Sequence, residues 1–427
     1  MTARASNLIL VGIVVGIVAA FVGVTLFGEA MTVFGWMGDL FLRALKMIIV
    51  PLIMASMIVG ITGLGDVRKL GRVGGLTVLY YAVTTGLAVA LGIVLVNLFR
   101  PGVGIELAAG AATPDAVVGK EEMGFAEIVL SFVSDNIFEA MAELDILPVI
   151  VFSLVLGAVL TTLGEAGRPV IAFFYGLNEA IMKMVHLIMW FAPLGVFGLV
   201  AARFGEAGDL GTLIGGLGRY MTTVLVGLGI HGFVVLPLIL WVFGRRNPFR
   251  YLANMATPLL TAFSTASSSA TLPLTIEATE EKNEVSREAA YFVLPLGATI
   301  NMDGTALYES VAAIFIAQAV GIELTAAQQV MIFLTATLAA VGAAGIPQAG
   351  LVTMVIVLRA VGLPLEGIGL ILAVDWLLDR FRTTVNVWGD SVGAGVIDRV
   401  LGRIRAAGPP EAPAAPAPVV PATPSGP

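Results

Sequence analysis

Asp375-Trp-Leu-Leu-Asp379-Arg-Phe-Arg382-Thr383-Thr-Val-Asn386-Val-Trp-Gly-Asp390 sets three carboxylates, two guanidiniums and an amide into an otherwise apolar segment. Counted from Asp375, the residues Asp379, Arg382, Thr383, Asn386 and Asp390 fall at offsets 4, 7, 8, 11 and 15. On a helix that spacing stacks them along one face. A stripe of both signs on a membrane helix is costly unless it lines a site where charges are paired or bound. The stripe therefore predicts a helix and marks where a ligand would sit.

The bulk composition puts that helix in a membrane. The chain is 58% hydrophobic and 12% charged, against about 25% charged for soluble domains, and its mean hydropathy is +0.97. Residues 8–27 are apolar for long enough to cross a bilayer core. That stretch exceeds the apolar region of a signal peptide and lacks a clear small-residue cleavage site, so a retained span is expected. The net charge of −7 is scattered through short loops, with no basic patch of the kind nucleic acid requires. Zero cysteines exclude disulfides and thiolate chemistry, and two histidines, His186 and His231, leave little material for histidine catalysis.

Long apolar stretches run at 8–27, 38–64, 74–98, 126–163, 169–202 and 212–243. Beyond them, segments 249–263 and 267–277 flank a serine-rich bend, and 327–341 and 350–360 flank a Gly-rich one, each too short to span. Such pairs read as re-entrant hairpins, because non-helical backbone at membrane depth survives only beside a cavity or inside protein. Each pair is followed by a fuller span, 288–319 with a polar break and 363–398 with the stripe. This repetition suggests inverted repeats, a transporter architecture. The predicted fold is an all-α polytopic membrane protein of eight transmembrane helices plus two re-entrant helical hairpins. With eight spans, Arg68, Lys69, Arg72, Arg168, Arg245, Arg246, Arg250, Arg399, Arg403 and Arg405 share one side, which predicts that side and both termini to be cytoplasmic. The Pro/Ala-rich tail, 406–427, is expected to be disordered.

Three further motifs accompany the stripe. Ser264-Thr-Ala266-Ser267-Ser268-Ser269-Ala-Thr-Leu-Pro273 offers hydroxyls and backbone N–H groups at a half-helix N-terminus, suited to a carboxylate; a hydroxyl-rich helix contact is the plainer reading. Gly297-Ala-Thr299-Ile-Asn301-Met302-Asp303-Gly304-Thr305 invites an unwound turn whose oxygens suit a dehydrated hard cation. A kinked helix with a solvated Asp is the alternative. Ala343-Ala-Gly345-Ile346-Pro347-Gln-Ala-Gly350 forms the second bend, where glycines permit close approach of a ligand. Arg382 is fit to grip a carboxylate with two parallel hydrogen bonds, and Asp379 to receive an ammonium group. One ligand with both is an amino acid, although an internal Asp379–Arg382 pair would explain those two residues alone. Glu309, intramembrane without an obvious partner in sequence, is either a proton carrier or a hydrogen-bonded neutral acid.

Together, Ser-Ser-Ser-Ala-Thr-Leu-Pro, Asn-Met-Asp-Gly-Thr, Ala-Gly-Ile-Pro and Asp-x-x-Arg-Thr-x-x-Asn-x-x-x-Asp resemble the dicarboxylate/amino acid:cation symporter family over residues 6–405. Its branches include animal excitatory amino acid transporters and archaeal aspartate transporters. The resemblance implies a homotrimer of elevator-type protomers. Residues 1–72 would hold scaffold helices one and two, 73–99 transport-domain helix three, and 100–205 scaffold helices four and five with an external loop. The rest of the transport domain would occupy 206–405, up to the tail at 406–427. The substrate set it implies is Ser268, Thr305, Ile346, Gly350, Asp379, Arg382, Thr383 and Asn386. Three sodium sites would draw on Asn301, Asn386, Asp390 and Gly297; on Thr299, Met302, Ala340, Val341 and Ala343; and on Asp303 and Asn301 with Tyr81, Thr84 and Thr85.

Ala266 stands where archaeal members carry an arginine, and Arg380 supplies one instead, as in the animal branch. Glu309 also follows the animal pattern, which the resemblance links to proton and potassium coupling. The implied activity is uptake of L-glutamate or L-aspartate with Na+ as coupling ion, no other cofactor, and H+ and K+ as further partners. The short 101–125 loop and the absence of Asn-x-Ser/Thr sequons fit a bacterial version in the cell (inner) membrane, surrounded by lipid. The competing readings are a proton-driven glutamate/aspartate symporter without Na+ and a C4-dicarboxylate symporter, the latter disfavoured by Asp379 and Asp390. A neutral amino acid carrier would leave Arg382 unpaired in a dry site. An intramembrane hydrolase lacks a histidine partner for the serines, so no enzyme is expected.

Overall fold

The computed structural model describes residues 3–63, 71–105, 130, 132–206, 210–341 and 349–407. Among them every regular element is helical. α1 (Ala3–Phe27) passes through a 3₁₀ turn at Gly28–Phe34 into α2 (Gly35–Gly63), and α3 (Gly71–Phe99) follows. The stretches 126–163 and 169–202, read above as continuous, are each divided. α4 (Ile137–Glu143) stops at Leu144, which takes a left-handed conformation (φ 58°), and α5 (Ile146–Thr162) restarts beyond Asp145. α6 (Arg168–Trp190) turns at Phe191 into α7 (Ala192–Glu206), where Pro193 removes a backbone donor.

α8 (Leu210–Ile230) continues to Gly244 through two π-helical turns, His231–Val235 and Leu240–Gly244. α9 (Pro248–Asn254), α10 (Ala256–Thr265) and α11 (Ser268–Glu277) follow. α10 ends because Ala266 adopts φ 50°, and Ser267 then caps α11 by accepting from Ala270 N. The predicted bend within 249–277 is therefore present between the packed helices α10 and α11, while Met255 divides the first expected arm into α9 and α10. α12 (Arg287–Ile300) and α13 (Asp303–Ala319) are separated at Asn301 and Met302, where the backbone leaves helical geometry (φ −106°, ψ 79° and φ −110°, ψ 62°). α14 (Ala326–Val341) packs against α15 (Ala349–Ala360), while the bend between them lies outside the described residues. α16 runs unbroken from Ile368 to Ala407, slightly beyond the start expected for the tail.

Two groups of helices emerge from the packing. α1, α2, α5, α6 and α7 pack mainly on one another, and α3, α8 and α10 to α16 on one another; α7 against α16 is the largest crossing between groups. At the centre of the second group, α13 is buried along its whole length except Gln318. It carries Asp303, Thr305 and Glu309 into that buried position, walled by α3, α8, α14, α15 and α16. Four helical runs among the described residues are long and apolar enough to cross a membrane: Val11–Gly63, Gly74–Phe99, Gly164–Trp190 and Gly211–Gly244.

Candidate functional site

The stripe of α16 turns inward. Asp375, Asp379, Arg382, Thr383, Asn386 and Asp390 are all buried, with Arg382 at 0% exposure. Its guanidinium lies 3.8 Å over the ring of Tyr308 on α13, a stacking available to Arg but weaker for Lys. Nη2 donates to Asp379 Oδ1 at 2.8 Å, and Nη1 stands 3.0 Å from Asp375 Oδ1. The second contact is close but poorly directed: among the described residues neither Nη1 nor Nε has a hydrogen-bond partner. A buried guanidinium with two nitrogens that lack a hydrogen-bond partner is an incompletely used donor site, which a carboxylate would fill.

Gly350, near the start of α15, meets this group directly. A Cβ there would stand 2.9 Å from Arg382 Nη1. Gly350→Ala is therefore expected to push the guanidinium aside at a cost of about 1–3 kcal/mol. The measurement is the affinity of this site for an anionic ligand, which should fall about tenfold.

One turn along, Asn386 bridges to the break in the preceding span. Its Oδ1 accepts from Gly304 N at 2.8 Å and its Nδ2 donates to Thr305 Oγ1 at 3.1 Å. Asn301 Nδ2 donates to Asp390 Oδ1 at 3.0 Å, and Thr84 Oγ1 on α3 reaches Asn301 Oδ1 at 3.2 Å. Thr85 Oγ1 donates to Asp303 Oδ1 at 2.9 Å. Asp303, Asp390, Asn301, Thr84 and Thr85 thus form one buried, oxygen-rich cluster with two carboxylates. Gly297 admits it: a Cβ there would fall 2.5 Å from Asp390 Oδ1. Carboxylate, amide and hydroxyl oxygens gathered in this way suit a hard cation.

His231 also belongs to this cluster, and the reading of the sequence passed over it. It is fully buried on the first π-helical turn of the α8 run, with Nε2 3.1 Å from Asp303 Oδ2. The available signal was a lone ionisable residue inside an apolar span.

Other expected site residues divide. Ser268, the first residue of α11, is buried, as are Met302, Thr305, Ala340 and Thr383. Tyr81 is buried, but its hydroxyl is committed to Val293 O at 2.7 Å. Thr299 is exposed and donates to Leu296 O of its own helix, so its side chain does not join the cluster. Val341 is half-buried at the end of α14. Ile346 and Ala343 lie outside the described residues. Arg380 reaches the carbonyls of Phe263 and Ser264 at 2.9 and 2.7 Å, at the C-terminal end of α10 beside Ala266, where a cation suits the helix end. Glu309 is fully buried on α13 and faces Thr353 of α15.

An all-helical integral membrane protein with buried charge gathered around an interrupted helix has the construction of a secondary transporter. Residues 6–400 match the Sodium:dicarboxylate symporter family, and the chain belongs to that family. It is a transporter and not an enzyme. It is 42% identical to excitatory amino acid transporter 3 of Homo sapiens over 416 residues, covering 86% of this chain and 79% of the relative. Excitatory amino acid transporter 1 of Ambystoma tigrinum is 40% identical over 419 residues, covering 86% and 77%. Neutral amino acid transporter B(0) of Rattus norvegicus is also 40% identical, over 445 aligned positions covering 92% and 79%.

Proposed function

We propose that this protein takes up L-glutamate and L-aspartate by symport with Na+ and a proton, through elevator-type alternating access in the cell (inner) membrane. Identity alone does not choose between acidic and neutral substrates, since relatives of both names match about equally. The observation that carries the reading is Arg382, fully buried and with Nε and Nη1 unspent among the described residues. A substrate side-chain carboxylate would accept from Nη1 and from the second N–H of Nη2 on the same outer edge, the pair whose N–H groups run parallel. Its ammonium would be received by Asp379, and its α-carboxylate by the N-terminus of α11 at Ser268. Thr305, Thr383, Asn386, Gly350 and Ile346 would complete the pocket.

The cluster of Asp303, Asn301, Asp390, Thr84 and Thr85 supports the Na+ sites, with carbonyls or side chains of Tyr81, Gly297, Thr299, Met302, Asn386, Ala340, Val341 and Ala343 as further ligands. The separation of packing into two helix groups supports a scaffold of residues 1–72 and 100–205 beside a transport domain of 73–99 and 206–405. Eight spans, two re-entrant hairpins, cytoplasmic termini, a homotrimer and K+ in the return step complete the proposal.

The test is uptake of labelled L-aspartate and L-glutamate into proteoliposomes, with sodium and pH gradients imposed separately. Accumulation driven by inward Na+ is the expected result. Accumulation driven by a pH gradient without Na+ would favour the proton-driven alternative. No accumulation of either amino acid alongside robust uptake of a C4-dicarboxylate would overturn the substrate assignment. Glu309→Gln removes the titratable group while keeping its shape, so its uptake should lose its dependence on external pH. A pH profile identical to that of the parent would make Glu309 structural.

A further inference from the structure

Two cavities share Arg245 and Arg246 at the end of the α8 run. The larger, about 810 Å³, is lined by apolar side chains including Phe233, Leu238, Trp241 and Phe249. The smaller, about 320 Å³, is polar and is lined by Ser286, Asp398 and Arg399 as well as the two shared arginines. Both exist because the chain reverses sharply there. Arg245 takes φ 54°, and Asn247 caps α9 by accepting from Phe249 N and Arg250 N, which brings Phe249 back beside the end of the run.

The two arginines have different work. Arg246 donates to Asn283 O, to Glu284 O at 3.2 Å and to Asp398 Oδ2 at 2.7 Å, clasping α16 to the turn before α12. Arg245 and Arg399 are exposed and have no acidic partner among the described residues. Around the smaller cavity, three guanidiniums therefore face one carboxylate that is already bound.

In the larger cavity the aromatic lining side chains are exposed, Phe233 by 68%, Trp241 by 62% and Phe249 by 72%. From Phe233 to Arg245 the run advances about 18 Å, close to the roughly 15 Å depth of one leaflet's hydrocarbon. A tryptophan with arginines at one end of an apolar span marks the headgroup level. We propose that the two cavities form one site for an anionic glycerophospholipid. Its acyl chain lies along Phe233–Trp241 and its phosphate meets Arg245 and Arg399.

The experiment is native mass spectrometry of the purified full chain, exchanged into detergent carrying either phosphatidylglycerol or phosphatidylcholine of identical acyl chains. The parent protein should retain phosphatidylglycerol selectively. At about 1 kcal/mol for each basic residue, the double variant Arg245→Gln/Arg399→Gln should lose about 30-fold in phosphatidylglycerol affinity. Its retention of phosphatidylcholine should not change. Both substitutions are at exposed positions and leave the Arg246 clasp intact, so the variant is expected to fold. Trp241→Ala should weaken retention of both lipids. Equal retention of the two lipids by the parent, or unchanged selectivity in the double variant, would overturn the proposal. So would crosslinking of a photoreactive residue at Trp241 to a second copy of the chain instead of to lipid. No transport is measured, so the outcome stands apart from the substrate assignment.

Discussion

Arg382→Lys is expected to lower acidic amino acid uptake by at least about 100-fold while the protein stays folded. The estimate rests on two charge-assisted hydrogen bonds to the substrate carboxylate, each worth about 1.5–3 kcal/mol. Lysine keeps the positive charge between Asp375 and Asp379, so those carboxylates retain a counter-ion. What it loses is the planar fork and the stacking on Tyr308. Arg382→Ala would remove uptake as well, but it also strands buried carboxylates, at about 3–5 kcal/mol for a broken pair. The two variants therefore separate recognition from stability. Thermal unfolding in detergent should shift strongly for the alanine variant and little for the lysine one. Near-normal glutamate or aspartate uptake by Arg382→Lys would sink the proposed role of the fork.

Asp390→Asn is expected to raise the sodium concentration for half-maximal uptake by about tenfold or more. Asparagine preserves the shape and can still accept from Asn301 Nδ2, now 3.0 Å from Asp390 Oδ1. Only the charge disappears. A carboxylate about 4 Å from a cation is worth about 4 kcal/mol at an effective dielectric of 20, and a third of that already gives a tenfold change. The check is the sodium dependence of uptake at saturating substrate, compared with that of the parent. An unchanged midpoint would remove Asp390 from the cation sites. Any loss through misfolding would appear instead as reduced maximal uptake with a normal midpoint.

Much of this centre was legible in the chain because its signals are local. The break at Asn301 and Met302 was announced by Asn, Asp and Gly inside a span, residues that compete poorly for helix interior. The bend at Ala266 was announced by consecutive serines, one of which caps the next helix. The interruption at Phe191 lies between apolar residues, which hide a break from hydropathy, whereas the one at Leu144 was missed although Glu143 and Asp145 flank it. His231 escaped because its chemistry depends on Asp303, 72 positions away.

By itself, then, the sequence determined that the chain is helical and apolar, where a charged stripe lies on one helix, and where helices break. Periodicity and backbone chemistry decide those features within a few turns. Only the tertiary structure decided who partners whom: Thr85 and His231 on Asp303, Asp375 sharing Arg382 with Asp379, Gly350 against the guanidinium. A buried polar group must find a partner or lose several kcal/mol. Which partner it finds depends on which helices pack around it.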